Sequence, residues 1–432
     1  MTAQAIAAGP AVRAEPEPLK GSALILAGFL LAVGNFMVVL DMTIANVSVP
    51  NVAGGLAVSP SQGTWVITSY SVAEAIVVPL TGWLAQRFGA VRVFVLGILG
   101  FGVCSALCGI APSLGALVTF RIMQGICGGP IMPMSQTLMM RIFPPNQRAQ
   151  AMGLWSMTTV VAPVAGPILG GTLCDTIGWP WIFYINVPVA ALCGFFAWRQ
   201  LRGHETPTMK LPVDLVGLAL LIAFVGSMQV MLDRGKELEW FSSPFIVGLA
   251  VVAVVGFVAF LIWELTDPHP IVNLRVFRHR GFTGSVITIS LTFGAFFSSI
   301  VLVPLWLQTN MGYTATWTGY ATALGGVLAV VMSPIVPRLI GKFDSRALVS
   351  FGVLYLAVIA VIRAGFASNA SFWTVAWTFL AQGFAMPFFF IPTTQLSLSA
   401  VLPEETAAAA GLQNFLRTTA AAFGTSLITT GW

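Results

Sequence analysis

Three ionisable residues of this 432-residue sequence lie inside long apolar segments, where charge has no obvious solvent: Asp41, Glu74 and Arg121. A charge at such depth costs several kcal/mol unless it is paired or hydrated, so residues of this kind indicate function by default. Each lies nine to eleven residues from a proline or glycine that marks one end of its segment. At about 1.5 Å per helical residue this distance is about 13 to 17 Å, so the three side chains could share one polar layer.

Two carboxyl groups and one guanidinium in a common layer could exchange a proton. Burial favours the neutral acid and a neighbouring guanidinium favours the carboxylate, so small movements between these environments load and unload a proton. We predict that a proton and the polar or cationic groups of a ligand compete at Asp41, with Arg121 modulating it and Glu74 as a third coupling residue. Two alternatives remain: Asp41 and Arg121 form a static pair that joins their segments, and Glu74 faces a wet cavity without being essential.

The composition explains where these segments lie. Hydrophobic residues make up 57% of the chain and charged residues only 8%, against about 25% charged residues in soluble domains. A helix needs about 20 mostly apolar residues to cross a hydrocarbon layer of ~30 Å. Thirteen such segments are predicted, at 23–48, 63–85, 93–111, 114–140, 149–172, 180–199, 213–232, 243–264, 282–308, 316–340, 346–366, 371–398 and 407–430. The sequence therefore predicts an all-α membrane protein.

The basic residues indicate its orientation. With the N-terminus in the cytoplasm, fifteen of the twenty Lys and Arg residues fall in the tail or in loops on the cytoplasmic side. Three fall on the opposite side, namely Arg234, Lys236 and Arg363. This excess fits the positive-inside rule with the N-terminus inside. It also explains the net charge of +5 without a nucleic-acid partner, which we do not expect.

The sequence repeats itself at a fixed offset. Adding 258 places Gln124-Gly125 on Gln382-Gly383 and Gly153-Leu154 on Gly411-Leu412. Such a period predicts duplicated halves. We therefore expect two pseudo-symmetric six-helix bundles with two additional helices inserted between them. The predicted divisions are a cytoplasmic tail at 1–20, an N-terminal bundle at 21–202, a linker with two inserted helices at 203–270 and a C-terminal bundle at 271–432.

Two glycine-rich motifs are candidates for conformational change. The loop GWLAQRFGAVR carries Gly82, Arg87, Gly89 and Arg92, where glycine permits a tight turn and the basic residues can cap helix ends. An ordinary cytoplasmic loop would look similar. The segment APVAGPILGG carries Gly166, Pro167, Gly170 and Gly171. Small residues allow close helix contact and proline can bend a helix, so this segment is a predicted hinge or seal.

In this order, these elements resemble the major facilitator superfamily. The strings LDMTIANVSVP and WIFYINVP, together with the inserted helix pair, resemble its 14-span drug:proton antiporters, and further strings such as MLDRGKELEWFSS are similar to the inner-membrane component of Emr-type tripartite multidrug pumps. The resemblance implies proton-coupled efflux of hydrophobic drugs, uncouplers and antibiotics across the bacterial inner membrane. It implies functional roles for Asp41 and Arg121, and as partners a periplasmic membrane-fusion adaptor and, through it, an outer-membrane channel. Because the family has 14 spans, we expect the final helix to be missing from this chain.

Candidates for ligand contact are polar or aromatic residues next to these motifs. They are Asp41, Asn46, Trp65, Tyr70, Gln124, Trp155, Gln382 and Phe388. Aromatic side chains offer stacking surfaces to hydrophobic ligands. A single aromatic residue in a membrane helix equally well packs against a neighbour or faces lipid.

Other chemistry finds little support in the sequence. The five cysteines and three histidines form no ligand pattern, so we expect no metal site, no cofactor and the proton gradient as the energy source. Phosphate-binding loops and nucleophile motifs are not visible, so we do not expect an enzyme. A narrow-specificity transporter of a metabolite or lipid on the same fold is the alternative function, and a non-transporting scaffold or sensor is a third.

Overall fold

The computed structural model describes residues 19–313, 315–367 and 370–431, and among these residues it contains helices and no strand. All thirteen predicted segments are helical. We number the helices α1 to α13: Gly21–Gly55, Trp65–Phe88, Ala90–Gly109, Leu114–Ile142, Arg148–Thr176, Trp181–His204, Leu215–Arg234, Pro244–Thr266, Arg280–Thr309, Ala315–Met332, Ser345–Ala364, Phe372–Ser399 and Thr406–Gly431. A short helix, Val336–Ile340, follows α10.

Most of these helices can cross a membrane. Ten of the described helices are long and apolar enough by themselves, and α5 is an eleventh if its two arms, which meet at 45° between Pro163 and Ile168, form one bent span. The apolar part of α10 is shorter, and α13 carries several polar residues. Both helices pack against several others, so less of their surface faces lipid and a lower hydrophobicity is sufficient.

The two halves repeat the same helix contacts. In the N-half, α1 to α6, helix α1 packs along α5, and both α2 and α3 pack on α4. In the C-half, α9 to α13, helix α9 packs along α13, and both α10 and α11 pack on α12. The contacts follow the 258-residue repeat of the sequence, because α5 begins at Arg148 and α13 at Thr406. Helices α7 and α8 pack on each other, and α7 also packs against α2 and α13.

The halves meet at the end of the bundle that carries the loop between α2 and α3, which we call the basic end. Here α13 packs on α2 and α4, while α5 packs on α10 and α12. Three glycines, Gly82, Gly153 and Gly411, form what we call the glycine seam. A methyl group on Gly82 would lie 2.6 Å from Cβ of Ala408. A methyl group on Gly153 would lie 2.8 Å from the carbonyl oxygen of the residue that follows α10, and one on Gly411 would lie 2.8 Å from a carbonyl oxygen of α2. The seam therefore brings the two halves together at backbone distance and closes this end.

The loop at the basic end is fixed by its neighbour after α6. Gly89 has φ +94°, a conformation that favours glycine, and the Glu205 carboxylate lies where its side chain would be. Glu205 accepts hydrogen bonds from the backbone N–H groups of Val91 and Arg92 at 2.9 and 3.0 Å. Arg87 donates to the carbonyl oxygen of Leu211. The N-terminus of α3 is thus capped by an acidic residue, whereas Arg87 bonds to the segment between α6 and α7.

The glycines of α5 differ in what they contact. Gly166 lies against the Thr43 side chain of α1, and Gly170 lies 3.2 Å, measured from an ideal Cβ, from the carbonyl oxygen of Ile44. A methyl group on Gly171 would meet no neighbouring atom within 4 Å. The side chain of Pro167 lies outside the described residues. Gly166 and Gly170 therefore allow the close approach of α1 and α5, whereas Gly171 does not take part in it.

This difference generates a matched test. We expect Gly166→Ala to lower the free energy of unfolding by about 1–3 kcal/mol, because the added methyl group overlaps Thr43 and must displace α1. Gly171→Ala should be neutral or slightly stabilising, since alanine is the better helix former by about 1 kcal/mol. Thermal unfolding of the purified proteins in detergent measures both. Equal losses for the two variants would contradict the close α1–α5 contact.

Candidate functional site

Asp41 of α1 and Arg121 of α4 form an ion pair inside the N-half. The guanidinium NH1 lies 2.6 Å from Oδ2 of Asp41, and the two residues are 2% and 0% exposed. Arg121 also donates from Nε to the carbonyl oxygen of Val66 at 3.0 Å and from NH1 to Oε1 of Gln124 at 2.9 Å. Asp41 and Arg121, which were predicted to lie in one layer, are therefore in direct contact. Their ion pair joins α1 to α4, and the bond from Arg121 to Val66 joins α4 to α2.

Amide groups hold the second oxygen of the carboxylate. Oδ1 of Asp41 accepts from Nδ2 of Asn186 at 2.7 Å and from Nε2 of Gln124 at 3.2 Å. Asn186 lies near the start of α6 and donates also to Ser105 Oγ of α3 at 3.1 Å. The carboxylate thus receives three N–H groups besides its ionic attraction, and this compensates for its burial. Three of the roughly four acceptor positions of the carboxylate are therefore occupied.

Sequence reasoning missed Asn186. It lies in the string WIFYINVP, but an uncharged amide in an apolar helix gives no pattern of its own. The pairing of a short amide with a buried acid becomes visible only when α6 is placed beside α1. Gln124, in contrast, was predicted from its motif, and the structure places it in the centre of the network.

Aromatic rings enclose the guanidinium. The ring centroids of Tyr70 and Phe183 lie 4.3 and 5.6 Å from the guanidinium carbon of Arg121. Tyr70 is 1% exposed, and its hydroxyl group has no hydrogen-bond partner among the described residues. A methyl group on Gly125 would lie 2.6 Å from the backbone oxygen of Tyr70. The glycine after Gln124 therefore lets α2 approach closely enough for Tyr70 to cover Arg121.

Glu74 of α2 lies apart from this pair. Its side chain is half-buried, and within the described part of the chain its carboxylate forms no ion pair or hydrogen bond. It interacts electrostatically with Arg121, Asp41 and Arg417. Of the two carboxylates in the predicted layer, that of Glu74 is the one without an ion pair or hydrogen bond to a described residue.

A second polar cluster crosses the boundary between the halves. Nδ2 of Asn414 on α13 donates to Oε1 of Gln136 on α4 at 2.6 Å. Arg417, one turn further along α13, is 1% exposed and donates to Oδ1 of Asn414 at 2.8 Å. Sequence reasoning assigned no role to Arg417 and did not single out Gln136 or Asn414. An arginine within an apolar span was the available signal for this cluster.

Trp155 and Phe390 form the apolar part of the same boundary. Their rings, from α5 and α12, are stacked with centroids 5.9 Å apart and 3° between the planes. Nε1 of Trp155 donates to Ser135 Oγ at 2.8 Å. The predicted ligand residue Trp155 is therefore buried between the halves, where it becomes accessible only if they separate.

The other predicted contact residues are spread over the bundle. Gln382 of α12 is 3% exposed with its Oε1 unpaired among the described residues, and Phe388 packs in a cluster with Phe351 and Phe384. Trp65, at the start of α2, is 36% exposed and lies 5.4 Å from the guanidinium of Arg234. Asn46 is exposed. The structure thus brings Asp41, Tyr70 and Gln124 together, but not Asn46, Trp65, Gln382 or Phe388.

No metal centre is evident: nowhere in residues 19–313, 315–367 and 370–431 could three His, Cys, Asp or Glu side chains hold an ion together. The site is instead one of buried charges inside a duplicated helical bundle. Two halves with repeated contacts that meet across a polar midplane are the architecture of secondary transporters. The fold and the site therefore define a multi-pass membrane transporter.

Comparison with known proteins places this transporter in a family. Residues 31–425 match the model of the Major Facilitator Superfamily, and the chain belongs to this superfamily. It is 48% identical over 419 residues to the multidrug export protein EmrB of Escherichia coli K12, which covers 97% of this chain and 82% of that protein. It is 46% identical to the fatty acid resistance protein FarB of Neisseria gonorrhoeae, over 96% of this chain and 82% of FarB. The predicted family resemblance is confirmed.

Solved structures share the fold at low sequence identity. A human organic anion transporter superposes with a TM-score of 0.63 at 16% identity, over 94% of this chain and 93% of that one. A proton:xylose symporter superposes with a TM-score of 0.61 at 14% identity, over 94% and 88% of the two chains. Both confirm the predicted all-α fold of the superfamily.

The buried ion pair generates a stability prediction. Asp41→Asn leaves the Arg121 guanidinium without its anion, so we expect the free energy of unfolding to fall by roughly 3–5 kcal/mol. The double variant Asp41→Asn with Arg121→Gln removes both charges and should recover most of this loss. Denaturation of the wild-type, single and double variants measures the coupling. Additive losses in the double variant would show that the two charges do not stabilise each other.

Proposed function

We propose that this protein exports hydrophobic drugs, uncouplers and antibiotics across the bacterial inner membrane in exchange for protons, with its N-terminus in the cytoplasm. The buried Asp41–Arg121 pair with its free neighbour Glu74 carries this proposal. The multidrug export relatives, of which EmrB of E. coli is 48% identical, support the substrate class. The excess of basic residues on one side supports the orientation.

The network around Asp41 suggests how a proton drives the exchange. In the present conformation the carboxylate accepts from Arg121, Gln124 and Asn186. A proton from the periplasm that reaches the Glu74–Asp41 layer and binds Asp41 neutralises the carboxylate and weakens its attraction for Arg121. Because α1, α4 and α6 are joined through this carboxylate, its protonation alters the packing of the N-half. Release of the proton towards the cytoplasm restores the pair.

The glycine seam supplies the second conformational element of the proposal. On the proposed orientation the basic end faces the cytoplasm, and we infer that the conformation with the seam in contact is closed to the cytoplasm. Separation of α2 from α13 and of α5 from α10 would open the site to substrate from that side. When the seam closes again, the bound substrate can leave only on the opposite side of the membrane. This sequence of movements is alternating access.

The assembly partners belong to the proposal as well. We infer that the protein acts with a periplasmic membrane-fusion adaptor and an outer-membrane channel, so that substrates leave the cell in one passage. The sequence resemblance to Emr-type pumps supports this assembly.

A coupling test separates the role of Asp41 from simple loss of folding. In proteoliposomes with an imposed proton gradient, Asp41→Asn should reduce uphill accumulation of a fluorescent dye substrate to background. Gradient-independent exchange of the same dye should persist, because it needs no net proton transfer. Glu404→Gln, which alters an exposed carboxyl group, is the control and should retain both activities. Full uphill transport by a folded Asp41→Asn protein would overturn the coupling role.

A narrow-specificity lipid or metabolite transporter is the second candidate function. The 46% identity to the fatty acid resistance protein FarB favours it. A panel of dyes, uncouplers and fatty acids in the same vesicles distinguishes the two candidates. Proton-driven transport of several chemically unrelated compounds is the result expected for drug efflux, whereas transport of fatty acids alone supports the narrow function.

A further inference from the structure

Arg417 lies where five helices from both halves converge. Its guanidinium carbon is 5.6, 4.7 and 5.1 Å from the ring centroids of Trp155, Phe293 and Phe390. These rings belong to α5, α9 and α12, and NH2 of Arg417 also donates to Sδ of Met132 on α4 at 3.0 Å. The cation is therefore held in an aromatic cage at the boundary between the halves. Arg417 lies 11 residues from the start of α13, which places it about 16 Å from the basic end, near mid-membrane.

The charge of Arg417 has no ion-pair partner among the described residues. Its Nε and NH1 atoms are buried and have no hydrogen-bond partner in the described part of the chain. No described carboxylate forms an ion pair with it, and Glu74 acts only at longer range. An unpaired buried cation is costly for stability. Cation–π contacts offset part of that cost, but an aliphatic side chain would fill the same space without the cost. The position therefore favours a functional role for the charge.

We propose that Arg417 binds the anionic group of a hydrophobic organic acid during transport. Resting on the proposed export function, this assigns a substrate class to the boundary between the halves. A guanidinium binds planar oxyanions such as carboxylates preferentially, and two of its nitrogens are free to donate. The surrounding rings of Trp155, Phe293 and Phe390 suit the apolar body of the same molecule. When the seam opens, these rings part and the cation faces the substrate entering from the cytoplasm.

A second arginine, which is half-buried, provides a control. Arg363 of α11 donates from Nε to Thr378 Oγ1 at 3.0 Å and from NH1 to Ser299 Oγ. Its guanidinium also lies 4.5 Å from the ring centroid of Phe379. These partners belong to α9 and α12, so the contacts of Arg363 lie within one half, and it shares none of the rings that surround Arg417. Removing its charge should not change anion recognition.

Stability gives the first readout. Arg417→Met replaces a buried cation that has no ion-pair partner among the described residues by an apolar chain of similar length, so its thermal unfolding midpoint in detergent should equal or exceed that of the wild-type protein. A purely structural role for the cation predicts the opposite. A clear decrease in the midpoint would count against the proposal.

Ligand binding gives the decisive readout. Three probes share one decyl tail: decanoate, decanamide and decyltrimethylammonium. We expect the wild-type protein to bind decanoate at least tenfold more tightly than decanamide, as measured by quenching of tryptophan fluorescence. Arg417→Gln should remove this preference by weakening decanoate binding at least tenfold with decanamide unchanged, Arg417→Lys should retain part of it, and Arg363→Gln should retain all of it.

The opposing results are distinct. Equal weakening of all three probes in Arg417→Gln, or a wild-type preference for the ammonium compound, would overturn the proposal. If Arg417→Gln is not folded, the comparison rests on Arg417→Lys and Arg417→Met. Absence of proton-driven transport by the wild-type protein would refute the proposed efflux function, while the charge preference in binding would still decide the role of Arg417.

Discussion

The ion pair between Asp41 and Arg121 is the interaction on which the N-half depends. Hydrocarbon cannot solvate a carboxylate or a guanidinium, so each must be paired and hydrogen-bonded within the bundle. Gln124 and Asn186 supply the remaining bonds of the carboxylate, while Tyr70 covers the cation. Helices α1, α2, α4 and α6 are thereby held around one charged centre. Gly125 allows α2 to approach closely enough for this arrangement.

The two halves share a helix arrangement but differ in their chemistry. In the N-half a buried carboxylate meets a guanidinium directly. In the described residues of the C-half, Arg363 and Arg417 have hydroxyl, amide, thioether and aromatic partners and no acid. The two halves therefore repeat the same helix contacts but carry different buried polar side chains. In our proposals the N-half handles the proton and the boundary with the C-half handles the substrate.

Much of the fold could be predicted from the sequence because apolar length and the 258-residue repeat are local or periodic properties. The positions of all thirteen helices and the neighbourhood of Asp41, Arg121 and Gln124 follow from such properties. Asn186 could not be predicted, since its role depends on the contact of α6 with α1, 145 residues away in sequence. The Gln136–Asn414 bond spans 278 residues and both halves. Phe388 was proposed from its proximity to a motif, but its neighbours are phenylalanines of α11 and α12. Packing partners of that kind are decided by helix rotation, which an almost uniformly apolar helix does not reveal.

The glycine seam also bears on the leakage of protons. A chain of water molecules conducts protons readily, and each water needs a cavity of about 10–15 Å³ and polar partners. At the seam a single methyl group on Gly82 would already lie 2.6 Å from Cβ of Ala408, so no water fits between these two residues. Seals made of long side chains leave gaps as rotamers change, whereas backbone contact leaves no side chain to move. A membrane protein that closes in this way keeps the ion gradient of the cell from draining through its own centre.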